Sequence, residues 1–178
     1  MRWWNRRRFE QRIDMLIPRL YSVSLGWGCS KPTCDDLVQE TVTTALSKID
    51  QLRNPDAFDV WVFRILVNAH RQLLRRERWL TELDNEFLVD DNGPSRQLET
   101  SRTIDRVRHA INRLSDDHRK VLVLVDMEEL SYRQVADILE IKLGTVMSRL
   151  GRARKRLRSI LDEQDTPTSD KAVLRRIK

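Results

Sequence analysis

Apolar residues in the first half of the chain recur with the three- and four-residue spacing of amphipathic helices. This spacing predicts helices from about Phe9 to Leu25, from Asp35 to Ile49 and from Phe58 to Arg78. Gly, Pro and Asn residues mark the breaks between them. The pattern therefore indicates a three-helix unit at the N-terminal end.

A second group of periodic segments occupies the last third of the chain. Helices are predicted near Ser101–Leu114, Asp116–Met127, Tyr132–Leu139 and Thr145–Leu161. Ser115 and Ser131 stand just before two of these segments, and Gln134 follows Ser131 by three residues. Both serines are typical N-cap residues, and the Ser131 spacing is that of a capping box.

Between these two groups the helical pattern dissolves. The residues around 80–100 are strongly acidic and include the breaker triplet Asn92-Gly93-Pro94. The expected fold is therefore all-α, with two small helical domains, each with its own core, joined by a flexible acidic linker. The expected bounds are 1–79 for the first domain, 80–100 for the linker, 101–162 for the second domain and 163–178 for a polar tail.

Composition agrees with a helical protein that has an anionic partner. The 178 residues include only 5 Gly and 5 Pro, and 33 basic residues exceed 27 acidic ones to give a net charge of +6. Such an excess favours nucleic acid as a partner. No apolar run is long enough for a signal peptide or a membrane span. We therefore expect a cytoplasmic protein with no membrane insertion.

Catalytic and metal-binding patterns are not apparent in the sequence. Cys29 and Cys34 flank a short loop at a helix junction, and no further cysteine could complete a zinc site. The histidines, His70, His109 and His118, are scattered over separate predicted helices. We predict no enzyme activity, no catalytic residue, no metal and no cofactor, and we assign the two thiols no function.

The segment from Tyr132 onward has the pattern of a helix-turn-helix. The short first helix is apolar on one side, and Ile141 and Leu143 are expected to be buried in a turn of about four residues. On the second helix one arc is apolar, and the opposite side carries Met147, Ser148, Gly151, Arg152, Lys155 and Arg158. Seven basic residues and no acidic one lie between Lys142 and Arg158.

This arrangement suits a helix that neutralises phosphates while a few side chains reach base edges in the major groove. The alternative is a merely solvated basic helix, which the preceding capped helix and tight turn make less favourable. Two positions are unusual for the motif. Gly151 costs a helix about 1 kcal/mol relative to alanine, and Glu140 occupies a turn position where glycine is common.

The second and third helices of the N-terminal unit each expose a distinctive face. Asp36, Glu40, Thr43 and Ser47 lie opposite the apolar arc of the second helix. These acidic residues either complement the helix dipole or form a partner surface. The third helix carries two apolar strips and a remaining face with Trp61, Arg64, Asn68, Arg71 and Arg75. That face either holds unpaired bases and their phosphates or is a solvated basic surface with a packing tryptophan.

Three segments together resemble the extracytoplasmic-function (ECF, group IV) RNA polymerase sigma factors. They are Asp-Asp-Leu-Val-Gln-Glu-Thr at 35–41, Trp-Val-Phe-Arg-Ile-Leu-Val-Asn at 61–68 and Gly-Thr-Val-Met-Ser-Arg-Leu-Gly-Arg-Ala-Arg at 144–154. Their order and spacing match the family, and the resemblance covers about residues 9–160. It implies a sigma region 2-like bundle, a region 4-like helix-turn-helix, and RNA polymerase core enzyme, promoter DNA and an anti-sigma factor as partners.

The resemblance also implies roles for individual residues. Polymerase binding falls to Asp36, Gln39 and Glu40. Capture of the promoter's minus-ten element falls to Arg53, Asn54, Trp61, Arg64, Asn68 and Arg71. Reading of the minus-thirty-five element falls to Met147, Ser148, Arg149, Gly151 and Arg152, to which the basic face of the same helix adds Lys155. The sequence departs from the family at Met147, where arginine is frequent, and at Gly151, where a larger side chain is common.

Two other functions compete with this interpretation. A helix-turn-helix repressor that binds duplex DNA as a dimer accounts for residues 131–158 but not for the two faces of the N-terminal unit. A sigma-like decoy that sequesters an anti-sigma factor should have lost its basic recognition helix, whereas here that helix is intact.

Overall fold

Seven α-helices make up most of residues 6–83 and 99–165, the part of the chain that the computed structural model describes. They are α1 (Arg6–Gly26), α2 (Lys31–Lys48), α3 (Phe58–Leu83), α4 (Glu99–Asn112), α5 (Asp116–Leu122), α6 (Tyr132–Leu139) and α7 (Leu143–Asp165). The predicted all-α fold class is confirmed. Most of the expected linker and tail, at 84–98 and 166–178, lies outside the described residues.

Helix α2 begins at Lys31, earlier than the sequence pattern suggested. The Ser30 side chain accepts a hydrogen bond from the Thr33 backbone N–H, and Pro32 occupies the first turn, where its missing N–H costs nothing. The prediction that Cys29 and Cys34 flank a loop is therefore wrong, because Lys31–Cys34 form the first turn of α2.

The helices of the second half differ from expectation mainly at their ends. After α5 the chain continues as a π-helical turn at Val123–Met127, which keeps Val123 and Leu124 buried. The capping box of α6 is confirmed, since Ser131 and Gln134 bond to each other's backbone N–H. Helix α7 runs to Asp165 and so includes the first residues of the expected tail.

A continuous hydrophobic core runs from Phe9 in α1 to Ile160 in α7. We call α1–α3 the N-terminal lobe and α4–α7 the C-terminal lobe. The lobes pack directly on each other, with α3 against α6 and α1 against α4 and the π-helical turn. The expectation of two separate cores is therefore wrong: buried residues of both lobes form one cluster.

Candidate nucleic-acid interface

The acidic face of α2 begins beyond the first turn of the helix. Asp36, Gln39 and Glu40 are exposed, while Leu37 and Val38 are buried behind them. Because α2 starts at Lys31, these acidic side chains lie beyond the first turn, where the dipole's influence has faded. The dipole explanation therefore does not account for Asp36 and Glu40.

The face of α3 predicted to capture bases is present as a contiguous surface. Asn68 is exposed, and its Oδ1 accepts a hydrogen bond from Arg71 Nη1 at 3.3 Å. The half-buried Trp61 ring lies 6.2 Å from the Phe58 ring. Amide, guanidinium and aromatic groups therefore lie side by side on one helix.

Arg53 and Asn54 precede α3 on an exposed segment between two short 3-10 turns, Ile49–Gln51 and Pro55–Ala57. The Asn54 side chain accepts a hydrogen bond from the Asp56 backbone N–H at 3.0 Å. Its carbonyl oxygen thus caps the second turn.

Two of the predicted minus-ten residues bind the C-terminal lobe. Arg64 donates from Nε and Nη2 to the Asp137 carbonyl at 3.1 and 2.8 Å. Arg71 donates to the Leu139 carbonyl at 2.7 Å and lies 3.7 Å from the Glu140 carboxylate. The carbonyls at the end of a helix carry partial negative charge, so the two guanidinium groups are well matched to the C-terminus of α6.

A groove connects the predicted polymerase and minus-ten surfaces. Its walls come from α2, α3 and the end of α6, and they include Glu40, Asn68 and Arg71. The structure therefore brings together residues that the sequence analysis assigned to different partners.

The recognition helix α7 presents the faces that its periodicity predicted. Val146, Leu150, Ala153 and Ile160 are buried, while Met147, Ser148, Gly151, Arg152 and Lys155 are exposed. The prediction that Leu143 is buried in the turn is wrong. The turn comprises only Glu140, Ile141 and Lys142, so Leu143 is the first residue of α7 and is 44% exposed.

Arg149 differs from the other candidates on α7. Its side chain is 27% exposed and its Nη2 lies 2.7 Å from Asp117 Oδ2 of α5. In contrast, Arg152 and Lys155 are exposed and form no ion pair within residues 6–83 and 99–165. The arrangement therefore leaves the Arg152 and Lys155 side chains open to solvent, whereas Arg149 is held against α5.

Comparison with known proteins places both lobes in one family. Residues 12–80 match Sigma-70 region 2, and residues 104–157 match Sigma-70, region 4. The ECF RNA polymerase sigma factor EcfG of Rhodopseudomonas palustris is 33% identical over 84% of each chain. The chain belongs to the ECF RNA polymerase sigma factors. The ECF RNA polymerase sigma-E factor of Haemophilus influenzae is 31% identical over 83% of this sigma factor and 80% of its own length.

Solved structures agree with this ECF assignment. The sigma factor RpoE in complex with the anti-sigma factor NepR, from Bartonella quintana, aligns with a TM-score of 0.72 at 28% identity, covering 86% of this sigma factor and 96% of that chain. CnrH in complex with the cytosolic domain of CnrY aligns with a TM-score of 0.69 at 27% identity, covering 89% and 90%. The predicted region 2-like and region 4-like folds are therefore confirmed.

A polar cluster that the sequence analysis missed lies where the lobes of this sigma factor meet. The His70 ring lies 4.9 Å from the Trp27 ring, and the Lys120 ammonium lies 5.9 Å from Trp27. Arg119 donates to the carbonyls of Trp27, Asn112 and Leu114 at 2.7, 2.8 and 2.9 Å. Its acceptors are backbone carbonyls, which any residue supplies, so no side-chain pattern could have revealed this contact.

The cysteines of the sigma factor lack the properties of reactive thiols. Burial raises the pKa of Cys29 to about 12 and that of Cys34 to about 11, so both stay protonated at neutral pH. Within the described ranges, no group of three His, Cys, Asp or Glu side chains could hold a metal ion. Among those residues, no helix combines the length and apolar character needed to cross a bilayer.

Proposed function

We propose that this protein is a group IV sigma factor that directs RNA polymerase core enzyme to specific promoters and assists their melting. The observation that carries the proposal is the groove in which Glu40 of α2 lies beside Asn68 and Arg71 of α3. One lobe can thereby bind a protein and separated bases side by side. The basic face of α7 is left for duplex DNA upstream.

The proposed division of labour follows the chemistry of each face. Asp36, Gln39 and Glu40 bind a basic surface of the polymerase. Trp61, Asn68 and their neighbours hold unpaired bases, whose stacking offsets the cost of opening a few base pairs. The exposed residues of α7 bind the minus-thirty-five duplex. The sigma factor contributes binding energy while the polymerase performs the chemistry, so we infer no enzyme activity of its own.

We further infer that an anti-sigma factor controls this protein. Two solved relatives of high structural similarity are complexes, one with the anti-sigma factor NepR and the other with the cytosolic domain of CnrY. An inhibitor bound across both lobes would cover the groove and α7 together. Because the polymerase resides in the cytoplasm, we place the sigma factor there as well.

Binding to purified core enzyme tests the polymerase surface. Asp36→Arg reverses a charge on the exposed face of α2, so we expect core affinity to fall about tenfold or more. The circular dichroism spectrum should stay unchanged, since the exposed Asp36 is not part of the hydrophobic core of the sigma factor. Asp14→Arg reverses an exposed charge on α1 and serves as the matched control, with core affinity retained. Unchanged core affinity of Asp36→Arg would refute the assigned polymerase surface.

Run-off transcription with core enzyme and a promoter library tests the DNA surfaces. Asn68→Ala should impair promoter melting, because it removes an amide that holds an unpaired base, while affinity for an isolated minus-thirty-five duplex is retained. Gln11→Ala removes an exposed amide on α1 and should change neither property. Equal losses of melting and duplex affinity in Asn68→Ala would contradict the division of labour.

A repressor and a sigma-like decoy would give different results in the same assays. A repressor would bind duplex DNA as a dimer and show no affinity for core enzyme. A decoy would bind an anti-sigma factor and leave promoter DNA unbound. Failure of the inhibitor-free chain to associate with core enzyme would overturn the sigma-factor proposal as a whole.

A further inference from the structure

Two apolar side chains stand exposed at the start of the recognition helix. Leu143 is 44% exposed and Met147 is 56% exposed, whereas Val146, Leu150 and Ala153 of the same helix are buried. Leu143 and Met147 are four residues apart and therefore occupy one face of consecutive turns. We call this pair the apolar strip.

The residues of α7 around the apolar strip include small ones with open space around them. A Cβ atom added at Gly144 or Gly151 would meet nothing within 4 Å. Ser148 is short, and its hydroxyl donates to the Thr145 carbonyl at 3.1 Å. Met147 is consequently a long side chain among small neighbours, near the end of the helix whose residues contact base edges in helix-turn-helix proteins.

The positive charge of α7 favours duplex DNA as the occupant of the apolar strip. Lys142, just before α7, and Arg152 and Lys155, in its later turns, are exposed, and such cations neutralise phosphates on either side of a major groove. The thioether of Met147 and the alkyl group of Leu143 offer no hydrogen-bond donor. They cannot replace the bidentate contact of an arginine with guanine, and the apolar group on the base edges of this groove is the 5-methyl of thymine.

We infer that Leu143 and Met147 select thymine at the base pairs that they face in the minus-thirty-five element. This inference rests on the proposed function of α7 and adds the bases that this helix prefers. The ion pair between Arg149 and Asp117 agrees with this inference, because Arg149 is the basic residue within the first two turns of α7 and its guanidinium is held against α5. The first two turns of α7 thus read methyl groups, and the later turns bind phosphates.

Replacing thymine by deoxyuridine removes only the methyl group and so tests this inference directly. The element is first selected from random duplexes with the complete holoenzyme, and each of its thymines is then replaced in turn. Losing one buried methyl should weaken duplex binding about fourfold at the positions facing the strip. Replacing thymine by 5-methylcytosine should retain more affinity than replacing it by cytosine.

Variants assign each methyl to its residue. Met147→Gln keeps the length of this exposed side chain but makes it polar. In this variant, replacing one particular thymine by deoxyuridine should no longer weaken duplex binding. Met147→Leu stays apolar and should keep that loss of affinity. Leu143→Gln should act in the same way as Met147→Gln, but at a second thymine. Met15→Ala removes an exposed methionine from α1, and there the full pattern of penalties should persist.

The possible results separate the inference from the proposed function. Three results would overturn the reading of methyl groups while sigma activity stands. The selected element could contain no thymine, or deoxyuridine could leave the affinity for the duplex unchanged. The third result is a loss of affinity on deoxyuridine replacement that persists in both glutamine variants. If the holoenzyme selects no upstream duplex at all, the proposed function of α7 fails first.

Discussion

His70 is an ionisable side chain buried where the two lobes meet. It is 3% exposed on α3, and burial, followed by the nearby charge of Lys120, lowers its pKa to about 4. Arg119 acts in the same direction, whereas Asp116 opposes it. The imidazole is therefore neutral at pH 7, and its role in the contact is that of a packed aromatic ring against Trp27.

This shifted pKa makes stability depend on pH. An unfolded histidine titrates near 6.5, so protonation below that pH favours the unfolded chain, and His70 contributes fully only above it. As the pH falls from 6.5 toward 4, this residue alone should cost up to about 3 kcal/mol of unfolding free energy. Urea titrations at a series of pH values measure the unfolding free energy as a function of pH. We expect this pH dependence to be smaller in His70→Phe and to be retained in His109→Gln, on the exposed face of α4. Identical slopes for all three proteins would contradict the assignment.

Gly28, just after α1, and Gly151, inside α7, have contrasting surroundings. Gly28 follows α1 with φ +90, and a Cβ there would lie 2.6 Å from Arg119 Nη1 and 2.9 Å from Asn112 Oδ1. The position therefore requires glycine both for the backbone and for the close approach of the C-terminal lobe. Gly151 lies within α7 with open space around it, so the helix bears the conformational cost of a glycine without any packing need.

The same substitution should consequently have opposite effects at the two sites. Gly151→Ala is expected to raise the free energy of unfolding by about 1 kcal/mol, the difference between glycine and alanine inside a helix. Gly28→Ala should lower it by more than about 1 kcal/mol, because it combines backbone strain with a steric clash. Chemical denaturation of the two variants measures both changes. Destabilisation by Gly151→Ala would show that this glycine has a packing role in the folded protein.

The two lobes share one hydrophobic core in the folded protein. This core extends from α1 to α7, and polar contacts such as the hydrogen bond from Arg64 to the Asp137 carbonyl also join the two lobes. Under the proposed function, Arg64 and Arg71 also bind promoter DNA. Their contacts with α6 therefore compete with the binding of these donors to bases.

Removing Arg119 should uncouple the lobes. Its guanidinium is partly buried, which lowers its pKa, and its loss would leave the carbonyls of Trp27, Asn112 and Leu114 without these donors. We expect Arg119→Ala to lower the unfolding free energy by about 2–4 kcal/mol and to split the single transition in two. Arg113→Ala, which removes only an exposed ion pair with Glu163, should cost less than about 1 kcal/mol. A single unshifted transition in Arg119→Ala would refute this coupling.

Local patterns in the sequence determined the helices, their buried faces and the start of α6. The apolar arc of α7 and the capping box at Ser131 depend on spacings of three and four residues, which the helix itself imposes. The acidic face of α2 and the Trp61–Asn68 face of α3 were predictable for the same reason. Their assignment to polymerase and to minus-ten DNA came from the family resemblance and remains a prediction.

Tertiary structure alone decided how the lobes meet and which candidates are engaged. Periodicity shows that a helix side is apolar, but it does not specify the helix that covers it, so the single core was not foreseeable. Arg64, Arg71 and Arg119 bind backbone carbonyls, which leave no trace in the sequence of their partners. The exposure of Leu143 likewise depended on where the turn ended and α7 began. Such choices arise from contacts between residues distant in the chain, and they become visible only once those residues are placed together.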